Sequence, residues 1–423
     1  MPNTFPYASE PTHQQGAANT AGQRSTDTYS SESRLVVDAK DYLAMLAPRR
    51  NPLMTLFTNV GKTWDGRNWS GASTRKSPCT QYKFEVFEDQ LGARYARVSA
   101  AYASQDSSTA VYVTGAGTNS GYVYTVDDIV YNIRTGEKLR VTAVSTDNIT
   151  VDRQYGSTAF AAGAAGDELL IIGTVSEEGS TARNSNSTLI ENAYNYTQIF
   201  KDSVTLTNSA KATKTYAGND MKLQRNKVGT KHAYDIEHSM WFGERKTTTG
   251  TNGKRMSLTG GIHEHLNAGN SFVQSQGGLL TAPDFNVFVR ESYYYGNDTK
   301  SKTLFAGSYI ISAVNEIALG QIQTKPMETS FGMKVTEWVT PFGAINIVHN
   351  PLFVGDLAGR GYLLNLDNYG YRYLEGNGES RDTKLTMNVQ APDADGEIDQ
   401  YLTECGLDRQ LAAESSMLLD VVA

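Results

Sequence analysis

Tyr194-Asn-Tyr-Thr-Gln-Ile-Phe-Lys-Asp-Ser-Val-Thr-Leu-Thr207 reads as an extended strand. After a small polar turn comes Asp220-Met-Lys-Leu-Gln-Arg-Asn-Lys-Val-Gly-Thr-Lys-His-Ala-Tyr-Asp-Ile-Glu-His-Ser-Met-Trp-Phe-Gly-Glu-Arg-Lys246. This second run has no proline. Its apolar stripe, Val228, His232, Ile236 and Met240, is narrow, and charged residues fill the other faces. The pattern predicts one dominant helix over 220–246, roughly 35–40 Å long at 1.5 Å per residue, lying across a sheet with one face wet. A strand arm feeding a single long helix suits a subunit that reaches its neighbours better than it suits an enzyme built around a pocket.

Upstream, Gln81-Tyr-Lys-Phe-Glu-Val-Phe-Glu88 alternates, with Tyr82, Phe84 and Val86 on one face and Lys83 and Glu85 on the other. This is a half-buried strand, and 194–207 is its expected antiparallel partner. Between the two lies a unit rich in hairpin signals, 105–189. Its expected strands are 121–126, 129–133, 138–144, 149–151 and 167–172, with Arg134-Thr-Gly-Glu137 and Thr146-Asp-Asn148 as turns. Short strands at this interval predict a small barrel or sandwich.

Elsewhere the reading is coarser. Residues 1–34 are small and polar and cannot offset their own ordering entropy. Short helical turns are expected over 38–59, interrupted by Pro48 and Pro52. A second, shorter helix is expected over 255–266, although Gly260-Gly261 falls inside it. Phe285-Asn-Val-Phe-Val-Arg290 is expected as a strand, and 308–314 as a buried strand or a short helix. Strands 334–339 and 344–349 flank the turn Thr340-Pro-Phe-Gly343, and further strands are expected at 361–365, 369–374 and 384–389.

Composition narrows the function. The 423 residues include 38 Gly, 24 Tyr and only 11 Pro, which favours turn-rich β structure over a linker-rich array. A net charge of −7 argues against an overall basic face for gripping nucleic acid. Met1-Pro-Asn-Thr-Phe-Pro lacks the charged and apolar regions of a secretion signal, and no apolar run reaches the ~18–20 residues a membrane span needs. Cys79 and Cys405 lack metal spacing and read as reduced thiols.

Chemical motifs are weak. His263-Glu-His265 would face apart on a helix, whereas a zincin pair needs His at i and i+4. Gly115-Ala-Gly117 lacks the helix and acidic partner of a nucleotide cradle. Asp127-Asp128 and Glu177-Glu178 sit at turns, where solvation explains them better than glycoside cleavage. Tyr293-Tyr-Tyr295, Tyr369, Tyr371 and Tyr373 suit a sugar platform, a base-stacking face or a subunit interface, and the interface reading is favoured. No cofactor, metal or catalytic residue is expected.

The order of several local phrases resembles the major head proteins of tailed phages with the HK97 fold, and among them the family named after the phage SU10 major head protein. The phrases are Asn51-Pro-Leu-Met-Thr-Leu-Phe57, Tyr82-Lys-Phe-Glu-Val-Phe87, the hairpins of 129–151, Asn195-Tyr-Thr-Gln-Ile-Phe200, Tyr234-Asp-Ile-Glu237, Arg255-Met-Ser-Leu-Thr-Gly260, Val335-Thr-Glu-Trp-Val-Thr-Pro-Phe-Gly343 and Asn365-Leu-Asp-Asn368. They spread over residues 38–390.

The resemblance implies an α+β, HK97-like capsid fold. Its parts would be a flexible N-terminal segment (1–36), an N-terminal arm with a short helix (37–78) and extended-loop strands (79–104 and 190–215) carrying the inserted module (105–189). A peripheral domain with the spine helix (216–274), an axial domain (275–345) and a return to the peripheral domain (346–423) would follow. It implies a self-assembling, non-enzymatic subunit of an icosahedral or prolate head. That subunit would form pentamers and hexamers in the host cytoplasm, enclose double-stranded DNA through non-specific contact, and belong to the virion. Decoration, portal and scaffolding proteins would be its further partners, with no membrane. No lysine–asparagine cross-link is expected.

The residues themselves add an assembly interface. A two-stranded arm buries little within its own subunit, so Tyr82, Phe84, Val86, Tyr196, Ile199 and Phe200 are expected to meet a neighbour. Two alternatives remain at this point: a β-rich carbohydrate-binding or hydrolytic protein, and a cellular nanocompartment shell of the same fold.

Overall fold

The computed structural model describes residues 51–58, 62–64, 69–71, 75–104, 108–114, 120–185, 187–213, 220–269, 271–295, 301–321, 325–326 and 335–422. The expected flexible segment, the first part of the arm and Gly115-Ala-Gly117 lie outside them.

After the short helices α1 (Pro52–Thr58) and α2 (Asn208–Ala212), the long helix forms as α3, Asp220–Phe242. It stops four residues short of the expected end because Gly243 follows, and Lys246–Thr249 then leaves as a strand. Its inward residues, among them Met221, His232, Ile236, Met240 and Trp241, lie on a six-stranded sheet. Two strands form the middle of that sheet: Glu397–Arg409 pairs antiparallel with Gln198–Leu206 on one side and with Tyr369–Gly376 on the other. Lys76–Cys79 adds in parallel beyond Tyr369–Gly376.

The strand beginning at Glu191 therefore has two partners. Glu191–Tyr196 pairs with Lys83–Glu88, from Glu191↔Glu88 to Tyr196↔Lys83, so the expected pairing holds over 194–196. Past Thr197 the strand leaves that partner, and Gln198–Leu206 runs along Glu397–Arg409 from Gln198↔Cys405 to Leu206↔Glu397. Thr197 sits at the changeover, fully buried. Its N–H donates to the Tyr82 carbonyl at 2.8 Å, and its hydroxyl donates to Glu404 Oε1 at 3.1 Å. The expected pairing of the whole 194–207 stretch with 81–88 is thus corrected: the six-residue strand Lys83–Glu88 is too short to occupy it, and the thirteen-residue strand takes the remainder.

A second, seven-stranded sheet has Lys302–Ala306 near its centre, with all five residues buried. Successive side chains of a strand point to opposite faces. Phe305 accordingly enters the core it shares with Trp241, Tyr362 and Met417, while Leu304 and Ala306 enter a core with Phe285, Phe288, Ile310, Trp338 and Leu363. Helices α5 (Ala282–Ser292) and α6 (Ser308–Gln321) contribute to the second core.

The strand expected at 285–290 is the helix α5. Thr281 caps it, accepting from the Asp284 N–H at 3.4 Å, and a proline occupies its first turn. Phe285, Phe288 and Val289 then fall on one buried face. The helix expected over 255–266 is instead the strand Arg255–Leu258, which pairs with Lys246–Thr249. The two glycines follow, and then the short helix α4, Ile262–Ala268. The ambiguous 308–314 is helical, and the strand expected at 384–389 spans only Lys384–Thr386. The hairpin Val335–Thr340 with Gly343–His349 forms as read.

The inserted unit is a closed six-stranded barrel. Its strands are Tyr95–Val98, Ser108–Thr114, Asp128–Asn132, Lys138–Val144, Asn148–Asp152 and Glu168–Thr174. The first of these lies before the expected boundary at 105. Alternate residues fill the interior: Val111 and Val113, Leu139 and Val141, Ile149 and Val151. The strand expected at 121–126 is a 3-10 turn, Ser120–Val123, at the barrel wall. A Cβ on Gly121 would meet the Ser145 carbonyl at 2.0 Å, so only glycine allows this approach. The turn delivers Tyr124 inward, where its hydroxyl accepts from the Ala96 N–H at 3.0 Å and donates to the Leu169 carbonyl at 2.8 Å.

Candidate functional site

The paired strands Lys83–Glu88 and Glu191–Tyr196 form a ribbon that joins neither large sheet. At its root, Asn195 is almost fully buried. Its amide donates to the carbonyls of Gly260 at 2.9 Å and Leu407 at 2.8 Å, and its oxygen accepts from the Gly260 N–H at 2.8 Å. One side chain thus ties the ribbon to the loop before α4 and to the central sheet.

Cations grip the ribbon's rings. Arg245 stands 4.0 Å from the Tyr194 ring centre and donates to the Tyr194 carbonyl at 2.9 Å, while Arg255 stands 3.7 Å from the Tyr82 ring. Farther out, the Leu411 N–H donates to Glu88 Oε1 at 2.8 Å. The Lys83 ammonium lies against Glu85, and this contact holds the Glu85 carboxyl below its ordinary range.

The six expected interface residues separate into two groups. Phe84 and Phe200 are each only 7% exposed. Phe84 packs against Gly406, where a Cβ would meet its ring at 3.0 Å, and the Arg372 guanidinium stands 5.6 Å from its centre. Phe200 belongs to the central core, edge-on to His232. Both face inward, because the ribbon root and the central sheet already cover them. Tyr82 and Ile199 are exposed, and Val86 and Tyr196 are half-buried. Tyr82 stacks on Tyr196 with the ring centres 6.1 Å apart.

The ribbon's outer end carries residues that strand alternation did not single out: Phe87 (72% exposed), Leu91 (92%), Leu189 (88%) and Ile190 (66%). Leu91, Leu189 and Ile190 lie beyond the paired strands, and Phe87 is on the face opposite Phe84. The available signal was four large apolar residues set among charged and turn-forming ones, where no strand or helix period accounts for them. All four are large apolar side chains in water, a feature that marks a protein contact where such side chains lie together.

Beneath the ribbon is a cleft of about 620 Å³ lined by Glu88, Tyr194, Arg245, Glu264, His265 and Arg409 among others. Of its polar groups, Arg409 Nη1 donates to Glu264 Oε2 at 2.8 Å, while His265 Nε2 is buried without a partner. Burial pushes the His265 imidazole down to about 4, so it is neutral at pH 7. The other histidine of the pair, His263, meets the Tyr362 hydroxyl at 3.2 Å. Both lie on α4 with separate surroundings. Asp127 pairs with Arg140 and Asp128 with Arg183. Of the tyrosine cluster, Tyr293, Tyr369 and Tyr371 are buried while Tyr294 and Tyr295 are exposed, so no continuous aromatic platform forms. Burial raises the Cys79 thiol to about 11 and the Cys405 thiol to about 12, and both are free.

A ribbon with an exposed apolar end, a closed barrel beyond it and a long helix laid on a sheet offer contact surfaces and no assembled catalytic group among the described residues. The chain belongs to the SU10 major capsid protein family, whose model matches residues 15–421. This is a family of structural capsid proteins and not of enzymes, and the described residues mix helices and sheets as the expected α+β class does. The major capsid protein of Pseudomonas phage PaMx41 is 28% identical over 259 residues, covering 59% of this chain. The match spans 62% of that relative's length, less than two thirds. Among solved structures, the capsid asymmetric unit of cyanophage A-1(L) matches with a TM-score of 0.47 at 12% identity, covering 93% of this chain and 99% of that one. The SrpI encapsulin complex of Synechococcus elongatus PCC 7942 matches with a TM-score of 0.38 at 9% identity, covering 55% of this chain and 76% of that one.

Proposed function

We propose that this chain is the repeating subunit of a phage head, which self-assembles into pentamers and hexamers and encloses double-stranded DNA. The observation that carries the reading is the ribbon, whose outer end leaves Phe87, Leu91, Leu189 and Ile190 in water. Burying apolar area is worth roughly 25 cal/mol per Å², so such an end gains stability by meeting another copy. Repeated around rings, modest contacts add up to a stable shell.

In this reading Tyr82, Val86, Tyr196 and Ile199 extend the contact surface from the exposed end, and Phe84 and Phe200 hold the root in place. Residues 37–78 act as the arm, 79–104 with 190–215 as the loop over a neighbour, and the barrel as a module on that loop. The part with α3 forms the peripheral domain, and the sheet with α5 and α6 forms the axial domain. Assembly proceeds in the host cytoplasm and the product is the virion. DNA is held without sequence-specific contact, and portal, scaffolding and decoration proteins complete the particle. A cellular nanocompartment shell is the second reading, favoured only by the encapsulin match.

Electron microscopy of the purified chain tests the assembly. Closed shells, tubes or five- and six-fold rings are expected. A strictly monomeric species over a wide range of salt and concentration, with and without a co-expressed scaffold, would overturn it. Portal and terminase genes beside this one, as opposed to a gene for an enzyme cargo, separate a head from a nanocompartment.

A further inference from the structure

Where the helix α1, Pro52–Thr58, meets α3, a carboxyl group is fully buried. Glu237 Oε1 accepts from the Leu53 N–H at 3.3 Å and Oε2 from the Met54 N–H at 3.4 Å. The Trp241 indole donates to Oε1 at 3.4 Å. The first N–H groups of a helix lack partners within it, and ordinarily the preceding side chain accepts from them. Asn51 is that residue here, because its carbonyl accepts the first helical bond, from the Thr55 N–H at 2.9 Å. Its side-chain oxygen is nevertheless buried without a partner. The cap of α1 therefore comes from another helix, 183 to 184 residues away in sequence.

We propose that Glu237 is a proton-operated latch between α1 and α3, closed when its carboxyl is neutral and loosened when the carboxyl is ionised. Three bonds at the long end of the hydrogen-bond range are poor compensation for a bare buried charge. The residues of α1 carry no charge. From α3 the titratable neighbour is Tyr234, itself buried at its hydroxyl without a partner and pushed up by burial and by Glu237. Among the described residues, no cation acts on Glu237. A neutral carboxyl still accepts from the two amides and gains an O–H, for which the unpartnered Asn51 oxygen at the same helix start is the proposed acceptor. Burial accordingly raises the Glu237 carboxyl from 4.5 to about 7.

The sign follows from linkage. With α1 released, the carboxyl returns to its ordinary value. Docking is therefore tightest below about 4.5 and is lost progressively as pH rises to about 7, by about tenfold per pH unit, levelling off above. This holds for the single chain, whatever it assembles into.

Hydrogen exchange over residues 52–58 of the full chain, corrected for the intrinsic pH dependence of amide exchange, reads the latch between about pH 4 and pH 8. Protection is expected to fall about 100-fold or more across that window. In Glu237→Gln, which keeps one acceptor and cannot ionise, the curve is expected to be flat. In Asn51→Ala, which removes the waiting acceptor, the fall is expected to shift to lower pH. Protection that stays constant in the wild-type chain, or falls equally in Glu237→Gln, would overturn the proposal. If Glu237→Gln does not fold, the wild-type curve with Asn51→Ala decides.

Discussion

The barrel and the ribbon are joined end to end, yet they treat apolar surface in opposite ways. The barrel closes on itself, so every strand has two neighbours and its valines and leucines are sealed inside. The ribbon has two strands and two open edges, and its outermost large side chains are in water. Two-stranded ribbons are marginal alone. This one holds its shape through Asn195 and two arginines at the root. The inserted unit thus closes on itself, while the ribbon that carries it leaves both edges and its large outer side chains uncovered.

The largest effect tests the ribbon. Leu189→Asp combined with Ile190→Asp is expected to abolish assembly completely while leaving the melting temperature of the soluble chain unchanged, as read by size-exclusion chromatography, electron microscopy and calorimetry. Normal particles from this variant would sink the contrast. Next comes the barrel's interior. Arg153 pairs with Glu137 at 2.6 Å, with both side chains fully buried. Arg153→Ala leaves a buried carboxylate without its partner and is expected to cost about 3–5 kcal/mol. The loss should appear as earlier unfolding of the barrel alone, with the transition of the two large sheets unmoved. A uniform shift of all transitions would show that the barrel is not a separate unit.

Asn195→Ala removes the tie at the ribbon root and leaves the Gly260 N–H and two carbonyls with fewer partners. About 1–3 kcal/mol is expected, together with faster proteolysis near residues 187–196. The smallest effect is in acid. Hydrogen bonds from Arg134, followed by those from Asn132 and the Ala164 N–H, hold the Asp167 carboxyl down to about 2. This stabilisation is present above about pH 4 and is lost as the pH falls through 2. Barrel unfolding in acid should therefore be delayed relative to Asp167→Asn, which is already without that charge.

Most of this contrast could be read before the fold was known. Strict alternation in 82–88 and the hairpin spacing of 129–151 predicted both units, because alternation reports burial on one face. The failures have local causes. Phe285, Val287 and Val289 satisfy a period of two, while Phe285, Phe288 and Val289 satisfy a helical one. Thr281-Ala-Pro-Asp284 decided the matter as a helix start, and it lay outside the apolar run. The change of partner at Thr197 leaves no trace in alternation, since a strand keeps its period whichever strand lies beside it. Phe84 and Phe200 were expected to face outward for the same reason: periodicity says which residues share a face, not what covers it. The exposed end at Leu91, Leu189 and Ile190 escaped because loop residues have no period to break.

The order in which the chain is made gives the last strands a particular weight. Glu397–Arg409 is the middle of one sheet, and Ser416–Leu419 is inserted between Phe272–Ser275 and Gly361–Leu364 in the other. A ribosome that has reached residue 390 has already released a complete barrel, but neither large sheet can close. Contacts this distant in sequence form slowly and late. Both large sheets therefore close only after residue 419 has emerged, long after the ribbon and the barrel are complete in sequence.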